Sequence, residues 1–107
     1  MIYHITSASI WEKALNEQYY RNPSLQTEGF IHCSSLDQLF GSAERHFKGQ
    51  SDLLVLCIVE KRVKSSLKWE GSDPENKFPH IYGKFHISAV EDIKTLLLNA
   101  NGDYELI

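Results

Sequence analysis

The chain has 107 residues, 42% of them apolar and 11% aromatic, and a formal net charge of −3. That length supports one domain over residues 1–107 rather than two cores, and the composition is that of a folded protein rather than a disordered one. The acidic balance excludes a general attraction to phosphate backbones while leaving room for a local cationic pocket.

Ile2-Tyr3-His4-Ile5-Thr6 reads as a first strand and lacks the basic and apolar regions of a signal peptide. Ser9-Ile10-Trp11-Glu12 matches a capping box, in which Ser9 and Glu12 satisfy orphan amides at a helix start. Trp11, Ala14, Leu15 and Tyr19 follow at helical spacing, and Arg21-Asn22-Pro23-Ser24 ends that helix because proline cannot continue it. Gly29 then turns the chain into a short strand. Side chains alternate along a strand, so Phe30, His32 and Ser34 share one face and Ile31 and Cys33 the other. Ser35 and Gln38 make a second capping pair. Leu36, Leu39, Phe40, Ala43 and Phe47 form an apolar helical stripe that Gly49 is placed to stop. His46, beside Arg45 on the polar flank, reads as a solvated residue.

Residues 53–59 are a continuous apolar run, which predicts a central strand covered on both faces. Lys61, Arg62, Lys64 and Lys68 read as a solvated edge or turn. Leu67–Glu70 is a short strand, and residues 71–77 are a loop by composition. From Phe78 to Ile87 the alternation places His80, Tyr82, Lys84 and His86 on one face and Ile81, Phe85 and Ile87 on the other. Pro79 lacks an amide hydrogen, so this strand is expected at an edge or to begin after the proline. A short helical turn at Ser88–Glu91 precedes two strands, Ile93–Leu98 and Tyr104–Ile107, joined at Asn101-Gly102. No apolar run approaches the ~18–20 residues that span a bilayer. Two cysteines give no disulfide framework, and a reducing cytoplasm is the expected compartment.

Three chemistries compete. A thiol nucleophile at Cys33 is disfavoured because His32 points to the opposite strand face and cannot activate it. A metal site is not expected, since no histidine or cysteine spacing matches a zinc ligand set. A substrate pocket is the third: His32, Ser34, His80 and Tyr82 supply donors, acceptors and a ring suited to a nucleotide or sugar phosphate. The solvated side of an edge strand would show the same residues at 80 and 82. Trp11 and Trp69 read as core or rim packing, and no glycine-rich phosphate loop is present.

The strings Glu28-Gly29-Phe30-Ile31-His32-Cys33-Ser34 and Phe78-Pro79-His80-Ile81-Tyr82-Gly83, with Tyr3-His4-Ile5 and Leu67-Lys68-Trp69-Glu70, resemble the small bacterial family called domain of unknown function 952. The resemblance covers nearly the whole chain. It implies a fold similar to the ADP-ribosyltransferases, two small sheets pinched around an NAD-binding cleft, and an element order like that of the RNA 2′-phosphotransferases. By that likeness His4 and His32 would face a bound nucleotide, with Ser34 near it. The late glutamate of ADP-ribosyltransferases has no clear counterpart, Glu70 and Glu91 being equal candidates. The phosphate-gripping arginines have none either, and Lys84 could replace them only as a point charge.

The expectation is therefore a cytoplasmic α+β protein, a small mixed or antiparallel split sheet with two main helices and without metal, its oligomeric state left open with a monomer favoured. Its ligand-binding residues would be His4, His32, Ser34, His80 and Tyr82, its ligand NAD or an ADP-ribose-type nucleotide, and its chemistry ADP-ribosyl transfer. A non-catalytic module recognising a small metabolite or a protein partner is the competing expectation.

Overall fold

The strand at Leu53–Ile58 organises the architecture. In the computed structural model, which describes residues 1–107, this strand lies inside a four-stranded antiparallel sheet. In chain order the elements are β1 (Ile2–Ser7), α1 (Ala8–Glu17), β2 (Tyr19–Tyr20), α2 (Ser24–Thr27), β3 (Ile31–His32), α3 (Leu39–Phe47) and β4 (Leu53–Ile58). A 3₁₀ segment over Glu60–Ser66 leads to β5 (Leu67–Glu70), β6 (Phe78–Ile81) and β7 (Phe85–His86). A second 3₁₀ turn, Ile87–Ala89, leads to β8 (Val90–Leu98) and β9 (Tyr104–Leu106). The sheets run β1-β4-β8-β9, β2-β7 and β3-β6-β5, and every pairing is antiparallel.

The apolar run of β4 is explained by its two covered faces. Leu56 and Ile58 enter a cluster with Ile2, Trp11, Tyr20, Ile31 and Ile81, whereas Leu53 and Val55 enter a second with Ile5, Leu39, Ala43, Leu96 and Tyr104. Each such aliphatic side chain, fully withdrawn from water, contributes about 1.5–3 kcal/mol. Helix α3 covers the second cluster with only Leu39, Ala43 and Phe47 of the predicted stripe; Leu36 and Phe40 are exposed. The helix begins at Leu39 rather than after Ser35: Gln38 Oε1 accepts from the Ser35 amide, but no side chain caps the helix. Gly49 at φ +78° follows it.

Several expected boundaries move. The cap of α1 is Ser7, whose Oγ accepts from the Ile10 amide at 3.3 Å, not Ser9. Gln18, in the left-handed region at φ 70°, ends the helix before Tyr19, because Tyr19–Tyr20 pairs with Phe85–His86. Pro79 lies in a middle strand rather than at an edge. Its carbonyl accepts from the Cys33 amide at 3.0 Å; the reciprocal bond would need the hydrogen proline lacks, and the β3 ladder ends there. The segment 78–87 is not one strand: Gly83, at φ +135°, breaks it, and β7 joins another sheet. Lys84 sits over the Tyr19 ring at 4.7 Å and His86 Nδ1 accepts from the Ser88 amide at 3.0 Å, so neither shares a face with His80. The 3₁₀ turn, β8, β9 and the turn around Asn101-Gly102 follow the expected order.

One further contact positions the site. Tyr3 and Ser34 exchange backbone hydrogen bonds, Tyr3 N to Ser34 O at 2.8 Å and Ser34 N to Tyr3 O at 2.7 Å. This bridge ties the end of the histidine strand to the edge of the main sheet.

Candidate functional site

Cross-strand register brings two imidazoles together. His32 on β3 pairs directly with His80 on β6, and their ring centroids are 5.6 Å apart at an interplanar angle of 77°. Ile31 and Ile81, the neighbouring cross-strand pair, point the opposite way into the core and hold the register. Phe30 lies parallel to the His80 ring at 4.0 Å and meets the edge of His32 at 4.7 Å, which fixes both rings.

Each histidine has its own carboxylate. His32 Nε2 donates to Glu28 Oε2 at 2.6 Å, where Glu28 closes helix α2. His80 Nδ1 donates to Glu70 Oε1 at 3.0 Å, and Tyr82 Oη donates to the same oxygen. The His32 hydrogen bond holds the Glu28 carboxyl below the usual range, with the charges of His32, His46 and His80 adding to it. Tyr82, then His80, do the same for Glu70, and that bond pushes the Tyr82 phenol up. One nitrogen of each ring, His32 Nδ1 and His80 Nε2, makes no hydrogen bond within the protein. No buried side-chain nitrogen or oxygen lacks a partner, so the free nitrogen of half-buried His80 is reached by solvent.

A hollow of about 430 Å³ opens beside this pair, bounded by β1, the α2–β3 segment, α3 and the start of β6. His4, Glu28, His32, Ser34 and His80 contribute to its wall, together with Ser42, Arg45 and His46 from α3, and Asn22, Asn76 and Phe78. The His46 ring is 6.0 Å from that of His32. Arg45 extends over Phe78, 5.5 Å from the ring centroid. The polar flank of α3 that reads as solvated in the sequence is thus the cationic side of the hollow. No group of three or more histidine, cysteine, aspartate or glutamate side chains is arranged to hold a metal ion.

The expected site residues divide by environment. His32 and His80 are adjacent and have free ring nitrogens. His4 is buried, with both nitrogens engaged: Nδ1 donates to the His32 carbonyl at 2.5 Å and Nε2 faces the Tyr20 hydroxyl at 2.6 Å. The carbonyl can only accept, so Nδ1 carries the hydrogen and Nε2 of the neutral ring is an acceptor. Burial lowers the His4 pKa to about 4, although its bond to the His32 carbonyl works in the other direction. Tyr20 Oη also lies 2.8 Å from Thr6 Oγ1 and receives the Asn22 amide at 3.0 Å. His4 is therefore a prop beneath His32. Ser34 is buried too, its Oγ 2.7 Å from Ser42 Oγ. Tyr82 does not line the hollow; it stands outside with Glu70, with Lys68 Nζ 5.1 Å from its ring centroid. Cys33 is 3% exposed and burial pushes its thiol up.

Residues unmarked as site candidates by sequence reasoning are Glu28, Ser42, Arg45 and His46. Glu28 stood in the most distinctive string of the chain, four residues before His32, and that spacing was a usable signal.

The profile of the family described as "Protein of unknown function (DUF952)" matches residues 5–93, and the chain belongs to that family. Its fold is similar to that of protein CC0527 from Caulobacter crescentus. The crystal structure of that protein is 31% identical, with 97% of this chain and 92% of that chain covered and a TM-score of 0.88. The solution NMR structure of CC0527 is 32% identical over 95% of this chain and 89% of that chain, with a TM-score of 0.81. No curated protein matches the chain. No helix is long and apolar enough to cross a membrane.

Proposed function

We propose that the hollow beside His32 and His80 binds a nucleotide of the NAD or ADP-ribose type, in a fold with ADP-ribosyltransferase-like organisation. The observation that carries this reading is a wall of polar and aromatic groups around one cation: Arg45, with the ring nitrogens of His32 and His46, suits a diphosphate, and Phe78 with the imidazoles suits rings and ribose hydroxyls. His4 and Ser34 belong to the site as supports, and Tyr82 acts on it through Glu70. The donor set fits NAD, which would supply an activated ribosyl group with nicotinamide as the leaving group.

A second reading, a binding module without transfer chemistry, is favoured by one observation. Neither late glutamate lines the hollow: Glu70 is tied to His80 and Tyr82, and Glu91 is exposed on β8. Glu28 is the carboxylate that does line it.

Titration of the protein with NAD and with ADP-ribose, following the ring resonances of His32 and His80, tests the binding. Release of nicotinamide separates transfer from binding alone. Rings that respond to neither nucleotide overturn the proposal.

A further inference from the structure

We propose that His32 and His80 form a proton-transfer pair that cleaves a ribonucleotide phosphodiester by means of the substrate's own neighbouring hydroxyl. The inference rests on the nucleotide reading of the same hollow and names the substrate class and the chemistry.

General acid–base work asks for an imidazole held by a second group, with its other nitrogen free toward the substrate. Both histidines are so held, line the hollow, and keep one ring nitrogen without a protein partner. Glu28 holds one and Glu70 the other, at 2.6 and 3.0 Å, and the opposite ring nitrogens have no protein partner. The two rings, 5.6 Å apart, sit beside one another on adjacent strands, so one substrate can meet both. Strands paired in register make a rigid platform for such a pair.

No side chain beside the pair is free to serve as nucleophile, and the substrate's own hydroxyl is assigned that role. Cys33 is buried, and the hydroxyls of Ser34 and Ser42 are 2.7 Å apart and bonded to each other. Arg45 and His46, lining the same hollow, suit a group that is anionic and gains charge in the transition state. A ribonucleotide phosphodiester meets both conditions, because its 2′-hydroxyl adjoins the phosphorus.

The step balances within the substrate and the pair. The 2′-oxygen forms a bond to phosphorus as its proton passes to one neutral imidazole. The bond from phosphorus to the departing 5′-oxygen breaks, and that oxygen takes a proton from the other, protonated imidazole. A 2′,3′-cyclic phosphate and a free 5′-hydroxyl result. The groups that set the pH response face the pair from each side: Glu28 closing α2, Arg45 and His46 on α3, Glu70 and Lys68 on β5, and buried His4 on β1. Glu28 and Glu70 are positioning residues.

Incubation of the purified chain with uridylyl-(3′,5′)-adenosine tests the proposal, read by phosphorus NMR. The expected result is cyclic uridylate with equimolar adenosine, a bell-shaped pH–rate profile, and no reaction of the 2′-deoxy dinucleotide. His32→Gln and His80→Gln should each lose about a hundredfold or more in rate. Glu28→Gln and Glu70→Gln keep the hydrogen-bond geometry and should shift one limb of the pH profile, which a merely structural role would not do. His80 is half-buried, so if His80→Gln fails to fold, Glu70→Gln decides for that side. Dinucleotide-induced shifts of the His32 and His80 rings without cyclic product overturn the inference and leave the binding reading standing. Absence of any ring shift with dinucleotide, NAD or ADP-ribose overturns both. Cleavage that persists unchanged in both histidine variants also overturns the inference.

Discussion

His32 and His80 face each other across the β3–β6 ladder, and of the two His80 is the more deeply packed. The His32 side chain is 44% exposed and that of His80 16%, with the latter stacked on Phe30. Replacing His32 by alanine should change stability by less than about 0.5 kcal/mol, as for other exposed sites. The variant should keep its circular dichroism spectrum and urea midpoint while losing its response to nucleotide. A large drop in the urea midpoint would make His32 a structural residue.

His4 behaves in the opposite way and couples stability to pH. Its folded pKa is about 4 against an ordinary value of 6.5, because burial disfavours the charged ring. Between these values the folded ring is neutral while the unfolded ring takes up a proton, so the unfolded state binds more protons. The contribution of His4 is therefore complete above pH 6.5, falls as pH drops, and is exhausted near pH 4. Over that window the loss amounts to ~3 kcal/mol at ~1.4 kcal/mol per pH unit. Urea unfolding at a series of pH values should show this slope, and His4→Phe should flatten it.

Much of this arrangement was legible in the sequence where local pattern and tertiary packing agree. The alternation at residues 30–34 separates exposed His32 from buried Ile31 and Cys33, although Ser34, expected on the His32 face, is buried against Ser42; the apolar run of β4 requires the two covered faces it has. The illegible features depend on distant partners. Tyr19 follows the helical period, but pairing with β7 draws it into a strand. His46 sits on a polar helix flank in sequence terms, and only the packing of Leu39 and Ala43 of α3 against Ile5, Val55 and Leu96 turns that flank toward a hollow. Tyr82 does share a face with His80, both reaching the same Glu70 oxygen, but it lies past the end of β6 and outside the hollow.

Tyr82 tunes the carboxylate that holds His80. Its hydroxyl is the largest influence keeping the Glu70 carboxyl below the usual range, ahead of His80. Tyr82→Phe should raise the Glu70 titration midpoint, measured by carbon NMR of the side-chain carboxyl. The sign on stability follows: a depressed folded carboxyl pKa stabilises above the unfolded value and loses that effect as pH falls through the folded one. The variant should therefore be less stable than the parent at neutral pH, and the two should converge in acid. Tyr82 is exposed and Glu70 only half-buried, so the difference should be small.

Gly29 turns the chain from α2 into β3 at φ +88°, with no atom within 4 Å of where a side chain would begin. Space is available, so any cost of Gly29→Ala comes from the backbone alone. The left-handed region costs a non-glycine residue about 1–2 kcal/mol. The variant should lose about that much stability in urea. A loss well beyond it would mean that the turn relaxes and carries Glu28 away from His32, which the His32–Glu28 hydrogen-bond signal in proton NMR would register.

The phenol of Tyr20 links the buried network to the site. It is fully buried, lies 2.6 Å from His4 Nε2, and also contacts Thr6 and Asn22. Tyr20→Phe leaves the ring in its stack with Phe85, whose centroid is 5.1 Å away, and removes only the oxygen. Three polar groups then lose a partner, so the cost should be about 1–3 kcal/mol. His4→Phe should cost a similar amount because it strands the His32 carbonyl and the phenol together. If the network acts as a unit, the double variant should cost less than the sum of the two, with a coupling of about 0.5–3 kcal/mol in a double-mutant cycle. Additive costs would mean that His4 is held by the His32 carbonyl and the Asn22 amide without help from the phenol. In that case Tyr20→Phe should leave the His32 ring resonances unmoved, whereas a coupled network should shift them.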